Sequence, residues 1–314
     1  MLRRLVLLIT ASLCLVSHTA NAQHRLLVQG NQKLAIVDRA GQIEWEMPWG
    51  AIHDIHILAN GNVMVQQGAA KVVEIDRTKK QVVWTYDSAT QNGNAAKRVE
   101  VHAFQPLEDG RVMIAESGAA RIIEVDRDGK LLHEIKLKVN KPNAHSDTRL
   151  VRKLPTGNYL VCHEADGAIR EYDAAGKVVW EFDVPLFGKS PRPGHGPEAF
   201  GNQAFAAVRL TNGNTLIATG NGHGVIEVTP GKQIVWKIEQ NDLPNITLAW
   251  VTTLEVLPNG HYVIGSCHAG PNNPLLVELD PKTKRVVWTF DQFATFGNSV
   301  PNTQLLDVEG KVLR

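Results

Sequence analysis

The chain has 314 residues, 43% of them hydrophobic, and balances 33 Lys and Arg against 32 Asp and Glu for a formal charge of +1. Such a length holds one large domain or two ordinary ones. Near-neutral charge with no block of one sign argues against nucleic acid or anionic lipid as partner, and 3 cysteines are too few to staple a small disulfide scaffold.

In chain order, Arg3 and Arg4 precede an apolar run from Leu5 to Val16, and small residues follow to Ala20-Asn21-Ala22 before Gln23. This reads as a secretory signal over residues 1–22, with a mature domain over 23–314 in the periplasm or secreted. Cys14 lies inside the apolar run instead of at the cleavage point, which argues against a lipid anchor. No later stretch approaches the roughly 20 apolar residues of a membrane helix, so no membrane span is expected.

Three short strands come next: Leu26-Leu27-Val28, Leu34-Ala35-Ile36-Val37-Asp38 and Ile43-Glu44-Trp45. From Ile52 a unit of about 50 residues repeats. Its turn recurs as Leu58-Ala59-Asn60-Gly61, Leu107-Glu108-Asp109-Gly110, Leu154-Pro155-Thr156-Gly157, Leu210-Thr211-Asn212-Gly213 and Leu257-Pro258-Asn259-Gly260. An apolar strand follows each turn, then an alternating strand such as Val73-Glu74-Ile75-Asp76, then a strand such as Val82-Val83-Trp84-Thr85-Tyr86. Four strands per repeat is the signature of a propeller blade. Five full copies run from Ile52 to Phe290. The three early strands, completed by Thr303-Gln304-Leu305-Leu306, supply a sixth. The expectation is an all-β, six-bladed propeller, closed by pairing the N- and C-terminal strands in one blade, which pairs strand edges that would otherwise be exposed and locks the ring.

Trp45, Trp84, Trp180, Trp236 and Trp288 recur in fourth strands, which predicts a shared niche between blades where the ring is buried and its N–H finds a partner. His133 takes that place once. Cys162 and Cys267 fall in blades that are not neighbours, which predicts two free thiols.

The phrase from Ile75-Asp76 through Lys80 to Val83-Trp84 resembles the pyrroloquinoline-quinone-type propeller repeat, and Leu210 to Ile217 resembles the propeller of bacterial arylsulfotransferases. The quinone dehydrogenases of the first superfamily use eight blades and often paired cysteines. This chain has neither, so the quinone is not expected. The second resemblance implies central histidines and an arginine that accept and pass a sulfuryl group. Asn298-Ser299-Val300 matches a stretch of those enzymes, but Phe296 and Gly297 stand where their histidine would be sought.

Long connections at Asp87 to Val99, Lys136 to Ser146 and Val184 to Asn202 fall on one face, here the upper face, and binding tends to reside in long loops on a rigid frame. His53, His102 and Arg149 occupy equivalent opening positions of first strands, and His145 lies in a loop of the same face. Imidazole moves protons near neutral pH and ligates divalent metals, while arginine clamps anions. His53, His102, His145 and Arg149 are therefore the candidate catalytic residues. Glu116, His163, His195, His223, Trp49, Trp250 and His268 are the candidate substrate contacts. No metal is assigned, although a divalent ion would suit the histidines. The functional readings are an exported enzyme acting on a small anionic, aromatic or carbohydrate-derived substrate, and a non-catalytic propeller recognising a glycan, peptide or envelope partner. A monomer is expected.

Overall fold

The recurring Leu-x-x-Gly phrase closes a tight turn in every full repeat. The Gly61 N–H bonds to Leu58 O at 2.8 Å with Gly61 at φ +83°, a conformation that glycine adopts without strain, and the same bond recurs at Gly110, Gly157, Gly213 and Gly260. At the end of the third strand an aspartate carboxylate accepts backbone N–H groups of the next turn, as Asp38 does from Ala40 and Gln42, and Asp126 from Asp128 and Lys130. Local chemistry thus sets the two hairpin turns of each unit.

In the computed structural model, which describes residues 24–314, the strands form six antiparallel sheets of four. The expected signal segment lies outside the described residues. Blades 1 to 5 occupy residues 55–87, 100–136, 151–183, 206–238 and 251–290. Blade 6 joins the strand Thr303–Leu305 to Leu26–Gly30, Lys33–Val37 and Ile43–Pro48, with Leu26 opposite Leu305 and Val28 opposite Thr303. The expected closure is therefore present. The one helix among the described residues is Phe293–Phe296, and no helix there is long and apolar enough to cross a membrane.

Two side-chain devices repeat from blade to blade. The indole N–H of Trp45 donates to Arg77 O at 2.8 Å in the following blade, and Trp84, Trp180 and Trp236 donate likewise to Arg127 O, Pro230 O and Pro281 O. The third-strand glutamate also reaches forward. Glu74 pairs with Arg127, Glu124 with Lys153, Glu171 with Arg209 at 2.6 Å and Glu278 with His24 at 2.8 Å. Blade 6 carries Ile36 at the glutamate position, opposite Trp45, and its junction with blade 1 is apolar, built from Leu34, Ile36 and Ile55. Cys162 and Cys267 are both buried and free, as expected.

The first strands surround an axis filled by a polar network. Asp54, wholly buried in blade 1, receives both terminal nitrogens of Arg152 from blade 3 at 2.7 and 2.9 Å. It also accepts Asn302 Nδ2 of blade 6 at 3.0 Å and the Phe104 N–H of blade 2 at 3.2 Å. Burial alone would raise the Asp54 pKa, but Arg152 and His56 hold it well below the usual carboxylate range. Beneath it, Leu313 pairs with Val256, and Arg314 donates to Gln304 Oε1 and Thr303 O. The axis is thus packed below Asp54, beneath the upper mouth.

Replacing Asp54 with Ala would leave the Arg152 guanidinium buried without its partner, a change that typically costs about 3–5 kcal/mol. Chemical denaturation should register a loss of that order, and a loss under about 1 kcal/mol would remove Asp54 from this role.

Candidate functional site

The register aligns His53, His102, Arg149 and Phe205 two residues before Ile55, Phe104, Val151 and Ala207, residues that face equivalent second-strand positions. His53 and Phe205 come from opposite blades of the ring, yet their rings stack with centroids 6.4 Å apart. Both therefore lie on the axis. The His102 ring is 4.5 Å from His53, and the His145 ring is 5.5 Å from His102 and 6.2 Å from His53. Three imidazoles from separate segments meet at the upper mouth.

Hydrogen bonds fix which nitrogen of each ring carries a proton. Gln66 Oε1 accepts the His53 backbone N–H at 2.9 Å and faces its Nδ1 at 3.3 Å, so Nδ1 is the donor and Nε2 is a free base with no protein partner. His102, almost fully buried, donates Nδ1–H to Thr148 O at 2.9 Å and points Nε2 at Glu100 Oε2 at 3.2 Å. The exposed His145 places Nδ1 2.8 Å from the same oxygen. Burial, with Arg149 nearby, lowers the His102 pKa to about 4, and burial with the charges of His102 and Arg149 holds His53 well below 6.5. The Glu100 carboxyl is held well below the usual range by its polar contacts with His102, His145 and Arg98.

Arg149 is 4% exposed and gives Nε to Glu164, while its Nη1 is buried without a partner. Its guanidinium carbon lies 5.6 Å from the Phe205 ring centre. A cationic donor with a spare N–H beside neutral imidazoles suits an anionic group of a ligand.

A second group gathers on the rim at blades 4 and 5. The exposed His195 ring lies 4.5 Å from Trp250 and 5.2 Å from His268. His223 supports it from below: its Nδ1 accepts the Trp250 N–H at 3.0 Å and its Nε2 donates to Ala199 O at 2.7 Å. His223, Trp250 and His268 all adopt left-handed backbone, at φ +59°, +40° and +66°, which few non-glycine residues do. Gly220 pairs with Val251 here, and a Cβ on Gly220 would lie 1.9 Å from Gln203 O, so only glycine fits.

Other residues singled out from the sequence are engaged in packing. Glu116 accepts Arg121 at 2.5 Å and Asn94 at 2.9 Å, which ties down the 88–99 loop. His163 is fully buried between Asp147 O and the Tyr172 hydroxyl, and Trp49 is inside the core with its N–H on Gln66 O at 2.8 Å. Sequence reasoning missed Glu100, Gln66, Glu164 and Phe205. Glu100-Val101-His102 was a readable signal, since alternate strand residues share a face, and Phe205 follows from aligning first strands. A separate hollow of about 250 Å³, lined by Phe187, Lys189, Phe200 and Lys237 among others, holds none of the candidate residues.

A family built of PQQ-like repeats, described as outer membrane protein assembly factor BamB, matches residues 30–290. The chain belongs to this family. No curated protein matches it. Among solved structures, a protein of unknown function from Bacteroides caccae is 23% identical with a TM-score of 0.72, covering 90% of this chain and 98% of that one. A streptogramin B lyase is 12% identical with a TM-score of 0.56, covering 86% and 83%. A virginiamycin B lyase from Staphylococcus aureus is 15% identical with a TM-score of 0.52, covering 86% and 84%. At these identities the likeness is one of fold.

Buried neutral histidines make this family member acid-sensitive. His56 and His163 are held at about 4, first by burial, against an ordinary value near 6.5. A folded-state pKa below the unfolded one means that the unfolded chain takes up the proton first, so stability falls as pH drops from about 6.5 through about 4. The denaturation midpoint should decline across that window, before most carboxylates titrate, and less steeply in His163→Gln. A midpoint that stays flat from pH 7 to 5 would contradict this.

Proposed function

We propose that the chain is an exported enzyme whose upper recess binds a small anionic substrate, aromatic or carbohydrate-derived, and moves a proton on it. The observation that carries the reading is the unpartnered Nη1 of buried Arg149 beside three converging imidazoles. In this reading Arg149 holds the anion, and His53 is the base through its free Nε2. His102 and His145 complete the reacting face. Phe205 and the shelf of His195, Trp250 and His268 offer ring surfaces to the rest of the substrate. The likeness to arylsulfotransferase propellers makes sulfate esters one natural class to try, and uronic-acid oligosaccharides another.

The second reading is a silent recognition propeller for a glycan, peptide or envelope partner. It draws on the description of the family as an assembly factor.

A screen of both substrate classes separates the two. His53→Ala is the informative variant, because His53 is partly exposed whereas His102 is buried in hydrogen bonds. Loss of a general base should lower kcat/KM by roughly 10²–10⁴, with an unchanged denaturation midpoint. A ligand that binds and survives incubation intact would favour recognition and sink the enzymatic reading.

A further inference from the structure

We infer that Glu100, His102 and His145 form a binding site for one divalent metal ion of the zinc class at the mouth of the recess. The inference deepens the active-site reading above and rests on it for the purpose of the ion. Three features of the geometry carry it.

One ligand atom from each residue lies within 4.8 Å of the other two. For metal–ligand bonds of about 2.0–2.1 Å, neighbouring ligand atoms in a tetrahedral site stand about 3.3 Å apart. His102 Nε2 is already 3.2 Å from Glu100 Oε2, and His145 Nδ1 is 2.8 Å from it. Little movement is needed, and His145 sits on an exposed loop that can supply it.

His102 is also oriented as a metal ligand is. Its Nδ1–H is given to the Thr148 carbonyl at 2.9 Å, the outer contact that fixes the tautomer of ligating histidines. In the neutral ring, Nε2 then presents a lone pair to a carboxylate oxygen. Two electron pairs facing at 3.2 Å call for a cation between them, either a proton or a metal ion.

The donor set names the class. Two imidazole nitrogens and one carboxylate oxygen suit zinc and its first-row neighbours, whereas calcium and magnesium favour oxygen ligands alone. Three protein ligands leave at least one position open, as catalytic sites do and closed structural sites do not. His53 is not a fourth ligand here, since the ligand atoms that converge are those of Glu100, His102 and His145. Its place beside the ion instead sets a free base next to a coordinated oxygen of water or substrate.

The test is a titration of the purified protein, stripped with EDTA, with cobalt(II) followed by visible absorption and with zinc followed by calorimetry. One equivalent of cobalt should bind with a d–d band of low-symmetry nitrogen–oxygen coordination, and zinc should displace it. Glu100→Gln and His145→Ala should each weaken binding at least tenfold, while His53→Ala keeps the stoichiometry. His145→Ala is the decisive variant, because an exposed side chain can be removed without threatening the fold. Absence of stoichiometric uptake, or uptake unaltered by His145→Ala, would overturn the site and assign a proton to the gap. Turnover of an anionic substrate by protein that takes up no stoichiometric metal would refute the metal and leave the active-site reading standing. Metal bound with the expected band but no turnover of any anion would do the reverse.

Discussion

One buried carboxylate decides what kind of propeller this is. Asp54 gathers Arg152, Asn302 and the Phe104 N–H, so that four of the six first strands are tied at the axis by charge and hydrogen bonds. A buried ion pair gives little net stability over a well-packed apolar isostere, but leaving either partner alone is costly. The pair therefore acts as a geometric constraint that holds the first strands of blades 1, 2, 3 and 6 at fixed positions around the axis. The axis below it is filled by His56, Arg314 and Gln304. Together they fill the lower part of the axis, and the imidazoles converge at its upper end.

The ring around this axis is held by local links repeated from blade to blade. A fourth-strand indole and a third-strand glutamate each reach one blade forward, and the apolar clusters bridge adjacent sheets in the same way. Stability distributed like this lets one mouth carry unusual chemistry: buried neutral histidines, an arginine with an unused donor and three left-handed residues under the rim. Strain and desolvation of this kind persist where the surrounding frame over-determines them, and they cluster where ligands bind.

The architecture was legible because its causes are local and repeated. Asn60-Gly61 and its counterparts, the aspartates at third-strand ends and the spaced tryptophans fix turns and strands from within one repeat, and counting repeats gives the blades. Thr303 to Leu305 could be matched to Leu26–Gly30 because the three N-terminal strands lacked the inner strand that every other blade has. The glutamates escaped notice since each partner lies in the next blade around the ring at no fixed sequence distance, and its type varies among Arg127, Lys153, Arg209 and His24. For the site, the shared register of His53, His102 and Arg149 was readable and leads to the recess. Glu116 and His163 end second strands as expected but turn inward, because Arg121 and Tyr172 offer them buried partners. Side-chain direction at a strand end depends on neighbours that pattern alone does not supply.

His53, His102 and His145 share one anion-receptive site with Arg149, apart from the histidines that serve packing, if the active-site reading holds. A long-range proton–nitrogen spectrum of the histidine rings, recorded while sodium sulfate is added, addresses it directly. Ring resonances of His53, His102 and His145 should move together on a single saturable curve, with His163 and His223 unmoved. Independent small shifts scattered over all the rings, or none at the recess, would contradict it.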